Sequence, residues 1–520
     1  MKIICRLFAI LFLLSNTSLL SAQQEMIDTN AFQMIRQAEM NSSQIPDIAH
    51  YLTDVSGSRL TNSPGFFRAG KWAVETMKKW GLVNARLEPW GDYGKGWEIE
   101  DFHISMKSPY NGYIIGYALP WSSNTNGEIR APIYEVLNTD LVDSAYMQKH
   151  RNDFKGKIIL LTRANTKHDE DFKPFSSRYT DSELVNIKDL YMVGRPELEF
   201  YLKSAKILEH AKLLLKADGA LAIVNCARRG RDGTVGVQNS GGYKLNSPVL
   251  LPEAVISAED GFKMRRLLAS GHRVEIALNI KGKFYSDDIK GYNVVAEIPG
   301  TDPALKSQLV MIGGHLDSWN GATGATDNAA GCIVMMEAVR LLDSLNLKPK
   351  RTIRIALWSG EEQGVYGSYN YVKNHFGNGE TGSIKPEQKN ISAYFNLDAG
   401  SGRIRGIFVQ RDTAIKPIFE QWFAACNDPV AKTVSVSNTG STDHLSFDWA
   451  GIPAFQFIQD PLDYESKTHH TNMDTYDYLQ MDDLKASAII VASFIYQAAN
   501  RPDLLPRKPM VKAKFPFDGF

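Results

Sequence analysis

Cysteine is scarce in this chain, with four among 520 residues, and Cys5 lies inside the first apolar run. The other three, Cys226, Cys332 and Cys426, form an odd and sparse set. That rules out a disulfide framework and a thiolate metal cluster, and the three read as buried free thiols. Neither sign of charge is in excess, since 58 Lys+Arg face 58 Asp+Glu. Without a single-sign field, nucleic acid is not an expected partner. Beyond the first residues no run is long and apolar enough to span a bilayer, so stable membrane insertion is not expected either. No repeat of solenoid length occurs. What is present is a globular composition, 43% hydrophobic and 22% charged, on a chain too long for one ordinary core.

The opening stretch, MKIICRLFAILFLLSNTSLLSAQQ, sets Lys2 and Arg6 ahead of an apolar run and ends in Ser21 and Ala22. This is the pattern of a secretory signal over residues 1–22, cut after Ala22. It predicts a secreted or periplasmic protein. Cys5 sits within the run, where it gives no support to lipid attachment.

Three regions follow. Residues 26 to 90 have helical periodicity, with Phe67, Ala69, Trp72, Ala73, Met77 and Trp80 near one face and Gly81 as a stop. Between about 131 and 283 lies a compact α/β pattern (GKIILLT, LAIVN, RVEIALNI and two amphipathic helices) interrupted by a polar stretch from Arg163 to Arg195. It carries no catalytic cluster of its own. From GYNVVAEIPG onward, strands alternate with helices to the end, which predicts a mostly parallel sheet covered on both faces.

Ligands gather where parallel strands end and loops begin. After LVMIGG come His315, Asp317 and then Asp327; after TIRIALWS come Glu361 and Glu362. Asp398 follows AYFNL, and His469 and His470 lie beyond IPAFQFIQD. Singly each is weak, because H-x-D, Glu-Glu and His-His pairs are common on solvated surfaces. Together they put several carboxylates directly after buried strands, where unpaired charge is costly unless a cation neutralises it. Imidazole mixed with carboxylate suits zinc, with manganese or cobalt as substitutes. The carboxylates are numerous enough to hold two ions about 3.5 to 4 Å apart. The small residues of NGATGATDNAAG are expected to let the backbone approach the ions and to aim Asp327 inward.

These segments, GGHLDS, GATDNAAG, WSGEEQGVYGS, NLDAG, GSTDHLSF and HHTNMDT, resemble the successive motifs of the M28 family of zinc peptidases. The resemblance implies a three-layer α/β/α sandwich with a mostly parallel central sheet. Residues 131–283 resemble an inserted protease-associated domain, which leaves 23–130 and 284–520 as a discontinuous catalytic domain. By the same resemblance His315 and Asp398 would bind one zinc, Glu362 and His470 the other, and Asp327 both. Glu361 would be the general base. Asp317 would orient the His315 ring, and Asp443 and His444 would belong to a substrate-side loop. Several members place Tyr before the last histidine ligand. His469 stands there instead, as in a subgroup similar to carboxypeptidase Q, and is a candidate donor to the oxyanion. The implied activity is that of an exopeptidase on peptides or dipeptides. Two rivals remain: a single-zinc acyltransferase like glutaminyl cyclase, and a binding protein without catalysis. Side-chain preference and oligomeric state are open.

Overall fold

The computed structural model describes residues 24–164, 174–228, 230–238 and 241–515. The expected signal segment lies outside them. Two eight-stranded sheets dominate. The first runs in the order Val83–Asp92, Lys290–Ile298, Thr352–Trp358, Leu309–His315, Ile391–Asn396, Ala454–Gln459, Ile404–Phe408, Thr433–Ser435. Its four central strands, from Thr352–Trp358 to Ala454–Gln459, are parallel, so their carboxyl ends share one edge.

Both faces of this sheet are buried, which is why its strands read as continuous apolar runs. Along Leu309–His315, Val310 and Ile312 join one core while Met311 joins the other. The larger core is closed by helices Thr29–Ser42, Pro64–Trp80, Ala330–Ser344, Lys416–Cys426 and Met481–Asn500. The smaller is closed by Tyr366–His375 and His444–Trp449. This is the three-layer sandwich expected from the alternation of strands and helices. Helix Pro64–Trp80 starts where the Ser63 hydroxyl accepts from Phe66 N and proline occupies the first turn, and it buries Phe66, Ala69, Ala73 and Met77.

The second sheet runs Gly112–Tyr113, Gly96–Ser108, Glu275–Tyr285, Ile129–Leu137, Ile158–Thr162, Ala222–Cys226, Glu253–Ile256, Gly116–Ala118. It therefore takes in strands from Gly96 onward, well before the start at 131 that the composition suggested. The cause is a non-local pairing: Gly96–Ser108 lies antiparallel to Glu275–Tyr285 along nearly its whole length. The polar stretch after Arg163 also behaves unexpectedly. Its described part from residue 174 onward crosses to the first sheet, where Ser177 pairs with Leu462 and Leu190 with Thr439. Cys226, Cys332 and Cys426 are buried and free. Among the described residues no helix is long and apolar enough to cross a membrane.

Candidate metal centre

His315 closes its strand, Glu361 and Glu362 follow Trp358, and Asp398 lies just past Asn396. Asp327 sits in non-helical backbone ahead of helix Ala330–Ser344, and its peptide bond to Asn328 is cis. His470, at φ +59°, lies beyond the turn Tyr464–Thr468. These side chains converge. His315 Nε2 is 3.2 Å from Asp327 Oδ1 and 3.3 Å from Asp398 Oδ1. On the other side His470 Nε2 is 3.1 Å from Asp327 Oδ2 and 2.9 Å from Glu362 Oε2. Glu361 Oε2 stands 4.0 Å from His315 Nε2, beside the first group.

The donor set fits a cation. Asp327 Oδ2, Glu362 Oε1 and Asp398 Oδ1 are buried oxygens that accept no hydrogen bond among the described residues. Buried carboxylate oxygens left in that condition are costly unless a charge meets them. His315, Asp327 and Glu362 offer ligand atoms within 4.8 Å of one another, as do Asp327, His469 and His470. The group opens into a cavity of about 460 Å³.

A model of peptidase family M28 matches residues 293–495, the span that carries all of these side chains. Human carboxypeptidase Q is 31% identical over 457 residues, covering 88% of this chain and 85% of its own. The chain belongs to peptidase family M28. Among solved structures, an M28 peptidase precursor from Shewanella amazonensis superposes with a TM-score of 0.66 at 24% identity, over 92% of this chain and 99% of that one. A zinc aminopeptidase from Bacillus subtilis gives 0.53 at 19%, over 92% and 97%. The M28 chain is thus a metallopeptidase with the fold of its relatives.

What holds this M28 rim in place comes partly from within the motifs and partly from residues far outside them. The Asp474 carboxylate accepts from Thr326 N at 2.6 Å and Asp327 N at 3.1 Å. Burial and the nearby Asp327 charge push Asp474 up to about 7. Arg59, fully buried, donates to the carbonyls of Leu316, Leu52, Thr323 and Gly324 and so ties the loop together from beneath. Gly331 is small for packing reasons: a Cβ there would lie 2.2 Å from the Leu397 carbonyl oxygen. At Gly331 what approaches closely is the neighbouring loop that bears Asp398.

Gly360, at φ +68°, turns the chain so that the adjacent glutamates diverge, Glu362 toward His470 and Glu361 toward His315. Asp317 supports them differently from the expectation. Its backbone carbonyl, 3.0 Å from His315 Nδ1, meets the ring, while the carboxylate stands at 3.7 Å. That carboxylate instead accepts from Glu361 N, Glu362 N and the Thr61 hydroxyl. Burial drives both Glu361 and Glu362 well above the usual carboxylate range. The Asp398 and Asp443 charges add to the rise at Glu361, and Asp327 adds to it at Glu362. The second sheet's region contributes Gln238, whose amide lies 2.7 Å from His470 Nδ1. The amide nitrogen Nε2 is the atom that faces the ring; turning the amide by 180° brings its oxygen there instead, the orientation that puts the proton on Nδ1 of His470 and leaves the ring's Nε2 free to ligate.

His469 stacks between Tyr464 and His470, with ring centroids 4.7 and 3.9 Å away. Its Nδ1 is 3.3 Å from Glu465, and its Nε2 is 3.9 Å from Asp327 Oδ2. It is therefore close enough to stand as a ligand as well as a donor. Asp443 and His444 are not on the cavity surface. Thr439, Gly440, Ser441 and Thr442 line it, while the next two side chains are fully buried behind. Burial pushes Asp443 up to about 8 and His444 down to about 4, and His444 Nε2 meets the Thr439 carbonyl at 3.0 Å. The loop itself faces the cavity, and the helix that begins at His444 turns both side chains inward. Trp90, Tyr93 and Trp97 are core.

Proposed function

We propose that the chain is a two-zinc exopeptidase that trims peptides or splits dipeptides, exported by its first 22 residues to act outside the cytoplasm. In this reading residues 131–283, with the extra strands from Gly96, form a domain inserted into the catalytic one. The observation that carries it is the division of Asp327: Oδ1 faces His315 at 3.2 Å and Oδ2 faces His470 at 3.1 Å. One carboxylate with a histidine on each oxygen suits a bridging ligand. His315 and Asp398 would hold one ion and Glu362 and His470 the other. Bound zinc would supply Lewis acidity to the scissile carbonyl and acidify a water molecule.

The protein's own side chains do the rest. Glu361 accepts the proton of the attacking water and returns it to the leaving amine. Asp317, by holding the backbone of both glutamates, keeps that carboxylate at the rim. Glu465 orients the His469 ring so that Nε2 faces the reaction centre, from which, when protonated, it donates to the developing oxyanion. Zinc counted per chain, together with cleavage of N-blocked and C-blocked peptide series by the loaded enzyme, tests the proposal. Two ions and cleavage restricted to substrates with one free terminus are expected. One ion with cyclisation of N-terminal glutamine would favour the acyltransferase reading. No hydrolysis of any aminoacyl or dipeptide substrate would favour a binding protein.

A further inference from the structure

One wall of the cavity does not come from the catalytic sheet. Residues 174–193 leave the region of the second sheet and lie across the first as a strap fixed at both ends. At one end Ser177 and Leu462 exchange backbone hydrogen bonds of 3.1 and 2.8 Å. Beside them the Arg178 guanidinium lies 2.8 Å from Asp460 and 2.7 Å from Asp483. Arg405 donates at 2.7 Å to both Asp460 and the Tyr179 carbonyl. At the other end Leu190 N donates to Asn438 O at 3.1 Å, and Gly440 N to Leu190 O at 2.9 Å. The Ser441 hydroxyl donates to Tyr191 O at 2.7 Å. Between these pins Leu184 is buried with Phe408 and Ile458, with Tyr179, Ile187 and Leu190 packed against them.

So anchored, the strap presents Leu190, Met192 and Val193 to the same cavity that Phe408, Phe457 and Ile458 line from the sheet. Met192 remains 52% exposed, a large apolar surface open beside the metal rim. No lysine or arginine is among the described lining residues, so an acidic substrate side chain would be desolvated there without a counter-charge. An apolar one would cover surface that water otherwise wets.

We infer that residues 174–193 are a specificity-determining wall: Leu190, Met192 and Val193, with Phe408 and Ile458, receive a bulky apolar side chain of a substrate residue flanking the scissile bond. This rests on the exopeptidase reading for the position of that bond, and it assigns to the region outside the catalytic sheet a part in choosing substrates.

Calorimetric binding of Leu-Leu and Ala-Ala dipeptides to the zinc-loaded Glu361→Gln protein isolates the wall from the chemistry. Leu-Leu should bind at least roughly tenfold tighter, the scale at which a hydrophobic pocket discriminates by a few methylene groups. In the same background Met192→Asp should abolish that preference and Met192→Ala should reduce it, with zinc content unchanged. Equal binding of the two dipeptides, or a preference that survives both substitutions, overturns the inference. Should Met192→Asp fail to fold, Met192→Ala decides. Selective binding by a wild-type enzyme that hydrolyses neither dipeptide would sink the exopeptidase reading and leave the wall standing. Hydrolysis of both without selectivity would do the reverse.

Discussion

Buried charge is handled in opposite ways by the two sheets. Beside the second, Lys212 Nζ lies 2.8 Å from Glu253 Oε2, and Asn225 donates to the other carboxylate oxygen at 2.8 Å. The pair is neutral and hydrogen-bonded, and complete without any ligand. At the rim of the first sheet, Asp327, Glu362 and Asp398 each keep a buried oxygen that accepts no hydrogen bond among the described residues, and Glu361 adds another buried carboxylate. Desolvation acts on both groups with the same sign. A self-compensated pair marks a structural feature, whereas a surplus of one sign held rigidly at strand ends marks a site made for an external charge.

The comparison can be broken most severely at Glu361. Glu361→Gln should lower kcat by about 10³ to 10⁴, near the upper range for losing a general base, while zinc content stays at the wild-type level. A modest loss would mean that another group moves the proton. Next comes the structural pair. Lys212→Met strands Glu253 and should cost about 3 to 5 kcal/mol in urea unfolding, whereas Lys212→Met with Glu253→Leu should fall close to wild type. In neither variant should the folded protein lose zinc. If it did, the two regions would not be independent.

Zinc itself should act on one side of the comparison only. Supplying it at about 100 times its dissociation constant should stabilise the wild type by roughly 2.7 kcal/mol, and chelation should remove that gain. Asp327→Ala should show no such response, while Lys212→Met should retain it. The mildest change crosses between the regions. Gln238→Ala, by freeing the His470 ring, should weaken zinc affinity about 10-fold to 100-fold in equilibrium dialysis without altering stability of the zinc-free chain. Gln238→Glu, which keeps an acceptor for Nδ1, should recover most of it.

The rim residues were legible because His315, Glu361, Glu362 and Asp398 stand at or just past the end of a buried strand and Asp327 and His470 in the loops beyond one, and strand ends are where a local pattern and a three-dimensional position coincide. His315, Asp327, Glu361, Glu362, Asp398 and His470 could be named from the chain on that basis. Their distant supports could not. Arg59 reaches the Gly324 carbonyl across 265 positions, and Gln238 reaches His470 across 232. Nothing in the local run around either residue signals the contact. Asp443 and His444 show a related limit: motif order placed their loop beside the cavity, but the direction of each side chain depends on the helix that starts there. The reach of the second sheet back to Gly96 was hidden in the same way, since strand pairing is a property of two segments and the sequence displays them one at a time.

By itself, then, the amino-acid order determined the alternation of strands and helices, the family and the identity of the metal-capable side chains, because these depend on short-range periodicity and on residue chemistry. Only the tertiary structure decided which oxygen of Asp327 faces which histidine, which distant residues brace the loops, and that residues 174–193 cross over to wall the cavity. Those are outcomes of packing between segments far apart in the chain, where the burial of apolar surface and the pairing of polar groups select one arrangement from many that the local pattern allows.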